Sequence, residues 1–112
     1  MRAGMLIDGN SGSAIIAGYV HANAGPGILI AGSANPLMIG NLFYANGIGK
    51  HTSPGLYVTE NSNPEVKRNI FSGNGAEAIR LQRPELKDRM TDNLFVNSGR
   101  AGKAIAVERV SR

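Results

Sequence analysis

The residues best equipped for chemistry fall in two short stretches. "IGKHTSP" (48–54) offers an ammonium, an imidazole and two hydroxyls, and "GRAGK" (99–103) adds a guanidinium and a second ammonium. Brought together, Lys50, His51, Thr52, Ser53, Arg100 and Lys103 would form a cationic, hydroxyl-bearing rim. Such a rim suits sulfate, phosphate or uronate groups, because charge-assisted hydrogen bonds to anions are strong. Both stretches read equally well as surface insertions carrying ordinary polar residues. Cysteine is absent, so there is no disulfide and no thiolate metal site. His51 stands alone in its loop, and His21 falls at a coil position with no partner evident from the sequence. No metal site and no cofactor are expected.

The net charge of +4 resides in the second half of the chain, since Arg2 and Asp8 are the only charged residues before Lys50. Lys67, Arg68, Arg80, Lys87 and Arg89 alternate with Glu65, Glu77, Glu85 and Asp88. That interleaving is the pattern of a solvated mixed-charge face rather than of a nucleic-acid stripe. The opening "MRAGMLIDGN" has one arginine and a short apolar run, which reads as neither a secretory signal nor a membrane span. The compartment stays open, extracellular or periplasmic placement included if the chain is a piece of a longer one.

At 112 residues the chain suits one domain, 1–112. What must hold the two cationic stretches is a repeat. "NLFYAN" (41–46), "NIFSGN" (69–74) and "NLFVN" (93–97) are three versions of one motif. Each belongs to a longer row that starts with a small residue before an apolar-x-apolar triplet, at Gly4, Gly27, Gly55, Ala78 and Ala104. The starts are separated by 23, 28, 23 and 26 residues, and the two cationic stretches account for the two long rows. A first row, weaker than the rest, puts Ile15, Gly18, Val20 and Asn23 in the columns that Met38, Asn41, Phe43 and Asn46 occupy later.

Apolar residues alternate over three or four positions and then break at Gly, Asn or Pro, with no helical period of useful length. Three short strands per row, stacked row on row, predict an all-β, right-handed parallel β-helix of about four to five coils. Ile7, Ile30, Val58, Leu81 and Val107 should point inward, with Met5, Ile28, Leu56, Ile79 and Ile105 beside them. Phe43, Phe71 and Phe95 should stack in a second column behind Val20. Ile15, Met38, Val66 and Met90 should make a third. Asn41, Asn69 and Asn93, with Asn23, Asn46, Asn74 and Asn97, are expected as ladders at the bends. There an amide side chain pairs inward-pointing backbone groups and tolerates left-handed backbone angles.

The row "N-x-[IF]-x-x-N-x-G … G-I-x-[IV] … N-P" resembles the parallel β-helix repeat of the pectin lyase-like superfamily, in particular repeats of carbohydrate-binding proteins and sugar hydrolases. The resemblance runs from about Gly4 to Val107. It is specific for fold and uninformative for activity, since enzymes, adhesins and binding modules share it. The aspartate, G-H-G and R-I-K signatures of polygalacturonase-like members are missing, and "TDN" (91–93) is a reordered fragment. By the same resemblance, lyase-like members abstract a proton with Arg or Lys, which makes Arg80, Lys87 and Arg89 the weak catalytic candidates here.

With the phenylalanines inward, Tyr19, Leu42, Ile70 and Leu94 face outward as an apolar stripe, and Leu6, Leu29 and Tyr57 form a shorter one. Such a stripe normally has something packed on it. The expectation is a non-catalytic scaffold for carbohydrate binding or protein interaction, homo-oligomeric through the stripe or through open coil ends. The alternatives are a polysaccharide lyase or glycoside hydrolase-like enzyme whose site a second subunit completes, and a structural fragment of a larger β-helix protein. A polysaccharide or acidic glycan is the expected ligand class, with no membrane and no nucleic acid among the partners.

Overall fold

A computed structural model describes residues 3–9, 12, 14–16, 18–48, 52–59, 61–96 and 104–108. Thirteen strands lie among them. Strands β1 (Met5–Ile7), β4 (Ile28–Ile30), β7 (Leu56–Val58), β10 (Ile79–Leu81) and β13 (Ile105–Val107) form one sheet. The second sheet holds β2 (Ala14–Ile16), β5 (Leu37–Ile39), β8 (Glu65–Lys67) and β11 (Met90–Thr91). The third holds β3 (Tyr19–His21), β6 (Leu42–Tyr44), β9 (Ile70–Ser72) and β12 (Leu94–Val96). All pairings are parallel, and the chain visits the sheets in rotation, so four complete coils are followed by the first strand of a fifth.

The sequence rows are the coils. Met5 pairs with Ile28, Ile28 with Leu56, Leu56 with Ile79 and Ile79 with Ile105, which reproduces the spacings of the small residues. One assignment shifts. Val66 pairs with Met90, and Asn69 bonds to Asn93, each across 24 residues, so the last long row gains a residue before its second strand. That residue is absorbed in a 3₁₀ helix, Pro84–Arg89, absent from the sequence expectation. Pro84 suits a helix start, where a missing N–H costs nothing. Leu86 is driven into the core, and Arg83 and Arg89 tie the helix to the "NSNP" turn of the coil before it.

Stacking builds the core because a lone coil has no second layer to cover its inward side chains. Phe43 and Phe71 stack with ring centroids 4.5 Å apart, and Phe71 and Phe95 at 5.5 Å. Ile28, Ile30, Met38, Leu56, Val66, Ile79 and Leu81 are fully buried in the columns assigned to them. Met5 shares the register of Ile28 but stays 42% exposed, because no described coil packs against it from the other side. Ile15, Val20, Met90 and Phe95, in the outer coils, are only partly covered for the same reason.

The bends correct one expectation. The left-handed residue is the one before each asparagine: Ala22, Gly40, Ala45, Arg68, Gly73 and Asp92 all have φ between 56° and 68°. The asparagine that follows uses its side chain on neighbouring coils. The glycine opening each of the first three rows also finds its reason here. A Cβ at Gly27 would lie 2.8 Å from the Gly55 carbonyl oxygen and 3.0 Å from Asn46 Cγ, while one at Gly55 would crowd Asn74.

Candidate functional site

The asparagine ladders fix where every outward side chain goes. Asn69 Oδ1 accepts both the backbone N–H and the Nδ2–H of Asn41, while its own Nδ2 reaches back to the Met38 carbonyl oxygen and forward to Asn93 Oδ1. Asn46 and Asn74 repeat the pattern at the next bend, from Asn23 to the Phe43 carbonyl oxygen. Gly18 keeps the first ladder going with its backbone N–H alone, donated to Asn41 Oδ1 at 2.7 Å. With the bends pinned, the third sheet keeps the same register from coil to coil.

The outward columns of that sheet are the most distinctive surface of the molecule. Tyr19, Leu42, Ile70 and Leu94 lie side by side in register, as the sequence expects. A second column, His21, Tyr44, Ser72 and Val96, runs parallel to it two residues along each strand. The alternation of a strand predicts that second column, but Ser72 and His21 disguise it as polar. Neither column contains an ionised carboxylate, lysine or arginine. Exposure is high for these residue types: Tyr19 57%, Leu94 56%, Tyr44 47%, Ile70 41% and Val96 40%. The outward columns of the second sheet start apolar, with Ala14, Ile16, Leu37 and Ile39, and turn charged at Glu65 and Lys67, which form a 3.2 Å ion pair.

His21 does have a partner. Its ring stacks on Tyr19 at 4.1 Å between centroids, and both rings border a recess of about 270 Å³ that Met5, Gly4, Val20 and Asn23 complete.

On the first sheet the shorter stripe is interrupted. Leu6 and Leu29 continue it, but Tyr57 donates its hydroxyl hydrogen to the Glu108 carboxylate, which Gln82 Nε2 also approaches at 3.3 Å. Arg80 lies over the Tyr57 ring at 5.4 Å and is paired with Glu77. Burial pushes the Tyr57 phenol above its ordinary range and the Glu108 hydrogen bond adds to the rise, while the Arg80 charge opposes it. Tyr57 is thus part of a polar cluster that binds the fifth coil to the third and fourth.

The three weak catalytic candidates do not converge. Arg80 is held by Glu77 and Tyr57, Arg89 Nε donates to the Pro64 carbonyl oxygen at 3.0 Å, and Lys87 projects from the exposed side of the 3₁₀ helix. Among the described residues no three His, Asp or Glu side chains come close enough to hold a metal ion. Of the proposed cationic rim, Lys50, His51, Arg100 and Lys103 lie outside the described residues, as does Asn97. Thr52 is half-buried. Ser53 is 2% exposed and closes the loop, its N–H donating to the Gly47 carbonyl oxygen at 3.0 Å and its own carbonyl accepting from Ala76, so it offers no rim hydroxyl.

The family model described as "Right handed beta helix region" matches residues 1–109, and the pectin lyase-like resemblance of the repeat fits it. No curated protein and no solved structure matches the chain. No helix among the described residues is long and apolar enough to cross a membrane.

Proposed function

We propose, from the premise that this chain belongs to the right-handed β-helix family, that it is a non-catalytic scaffold for protein or carbohydrate contacts, self-associating through the outer face of its third sheet. The observation that carries this reading is the pair of uncharged outward columns from β3 to β12, with Tyr19 and Tyr44 among exposed aliphatic side chains. Flat aromatic and aliphatic surface of this kind releases ordered water when a protein face or the C–H face of a sugar covers it. The first and last described coils are a second route to self-association, favoured by the partial exposure of Met5, Ile15, Val20, Met90 and Phe95.

The enzymatic alternative needs Arg80, Lys87 or Arg89 free to meet a substrate, and two of the three already have partners within the solenoid. Affinity electrophoresis against acidic and neutral polysaccharides, with an assay for new reducing ends and unsaturated products, separates the readings. Retention without turnover, reduced in Tyr44→Ala, is the expected result for a carbohydrate ligand. Turnover that disappears in Arg80→Ala would overturn the scaffold reading.

A further inference from the structure

The bend that follows the third sheet repeats one dipeptide, Asn46–Gly47 after β6 and Asn74–Gly75 after β9. Two separate demands of the fold put it there. Asparagine is required by the ladder: Asn46 Nδ2 donates to the Val20 carbonyl oxygen and to Asn74 Oδ1, both at 3.0 Å, and Asn74 Nδ2 donates to the Phe43 carbonyl oxygen at 3.1 Å. Glycine is required by close approach, since a Cβ at Gly47 would collide with the Ser53 carbonyl group and one at Gly75 with the Gly47 carbonyl group.

An Asn-Gly pair rearranges readily wherever the chain can turn, because no side chain shields the glycine nitrogen. That nitrogen gives its proton to a solvent base and attacks the asparagine Cγ. The Cγ–Nδ2 bond breaks, ammonia leaves and a succinimide ring closes. Water then opens the ring, at Cγ to give aspartate or at the main-chain carbon to give isoaspartate. While the coils are stacked, both reacting groups are tied up. The Gly47 N–H donates to the Asn23 carbonyl oxygen at 2.8 Å, and the Gly75 N–H to the Asn46 carbonyl oxygen at 2.7 Å. Asn46 is fully buried and Asn74 is 6% exposed, which keeps out the base and the water that the reaction needs.

We infer that Asn46–Gly47 and Asn74–Gly75 are self-modification sites that the stacked coils hold closed, and that parting the coils at this bend releases a reaction whose product prevents restacking. An aspartate at 46 would turn an oxygen, in place of an N–H, toward the Val20 carbonyl oxygen and Asn74 Oδ1. One at 74 would do the same to the Phe43 carbonyl oxygen. A carboxylate facing acceptors in a buried ladder is costly to desolvate. Isoaspartate adds a carbon to the main chain, and the residue-for-residue pairing of β6 with β9 has no place for it. A prolonged opening thus becomes irreversible, whatever the third sheet binds. The other ladder lacks this sensitivity. Asn41, Asn69 and Asn93 are followed by Leu42, Ile70 and Leu94, whose branched side chains hinder attack on Cγ.

The test is to incubate the wild-type protein in mildly alkaline buffer, either folded or held unfolded in guanidinium chloride, and to map deamidation and isoaspartate by peptide mass spectrometry. In the unfolded chain Asn46 and Asn74 should react well ahead of Asn41 and Asn69. In the folded protein the same two sites should react at least about 100-fold more slowly, because the reaction waits for the ladder to open. After removal of the denaturant, unmodified chains should regain the native circular dichroism spectrum and denaturation midpoint. Chains modified at either site, separated by their added negative charge, should not. Equal rates in the folded and unfolded protein, or no preference for Asn46 and Asn74 in the unfolded chain, would overturn the closed sites. Modified chains that refold to the wild-type midpoint would overturn the irreversibility.

Discussion

Asn69 Oδ1 lies 2.8 Å from the backbone nitrogen of Asn41 and 2.9 Å from its Nδ2, so one buried oxygen satisfies two donors of the preceding coil. This contact turns three separate hexapeptides into a continuous ladder, and it carries a measurable consequence. Asn69→Ala leaves the Asn41 N–H buried without its acceptor and takes the Nδ2 donor away from the Met38 and Lys67 carbonyl oxygens. Each orphaned group costs about 1–3 kcal/mol, so the variant should lose several kcal/mol of stability in urea titration. Asn23→Ala, in the partly exposed first coil, removes fewer bonds and should cost less than half as much. Equal losses at both positions would mean that the ladder does not depend on burial.

The residue before each asparagine gives a prediction of opposite sign. Ala45 has φ +58° and Gly73, its counterpart one coil on, has φ +64°. A Cβ in the left-handed region costs about 1 kcal/mol, so Ala45→Gly should stabilise the protein by up to that amount despite deleting a methyl group. Gly73→Ala should destabilise it similarly, since a Cβ there meets only Tyr44 Cε1 at 3.8 Å and the cost is backbone strain rather than collision. Thermal midpoints of the two variants check both signs at once.

Tyr57 makes stability sensitive to alkali. Its phenol is held above the ordinary value by burial and by the Glu108 carboxylate that accepts its proton-mediated bond. A group whose folded pKa is raised contributes stability that is fully present below the unfolded value, about 10, and lost as pH rises through the folded value. Wild type should therefore lose stability above about pH 10 more steeply than Tyr57→Phe. Urea titrations at pH 8, 10 and 11 read the difference, and parallel curves for the two proteins would show that the cluster does not hold the fifth coil.

Much of the architecture was legible because a solenoid writes its contacts into its spacing. The 23-residue interval from Gly4 to Gly27 is also the interval from Met5 to Ile28 across a ladder of backbone bonds. Phenylalanine in the same column of three rows could be read directly as a stack. The 3₁₀ helix escaped because "RPELKDR" is short and polar, and only the burial of Leu86 and the bonds from Arg83 and Arg89 define it. The left-handed residue was misplaced by one position, since asparagine tolerates that conformation and alanine does not advertise it. On the outer face of the third sheet, Tyr19, Leu42, Ile70 and Leu94 were visible as apolar residues. His21, Tyr44 and Val96 were not, because a column is recognised by likeness and this one mixes an imidazole, a phenol, a hydroxyl and an isopropyl group.

The most direct test of the third sheet as the contact surface is sedimentation equilibrium at neutral pH over a concentration series, comparing wild type with Leu42→Asp. Leu42 lies between Tyr19 and Ile70 in the outward column, where a carboxylate can stay hydrated in the monomer but not under a covering face. The proposed self-association predicts a reversible wild-type dimer that Leu42→Asp dissociates while the thermal midpoint of the monomer is retained. A wild-type protein that stays monomeric throughout, or a variant that dimerises as strongly as the wild type, would contradict it.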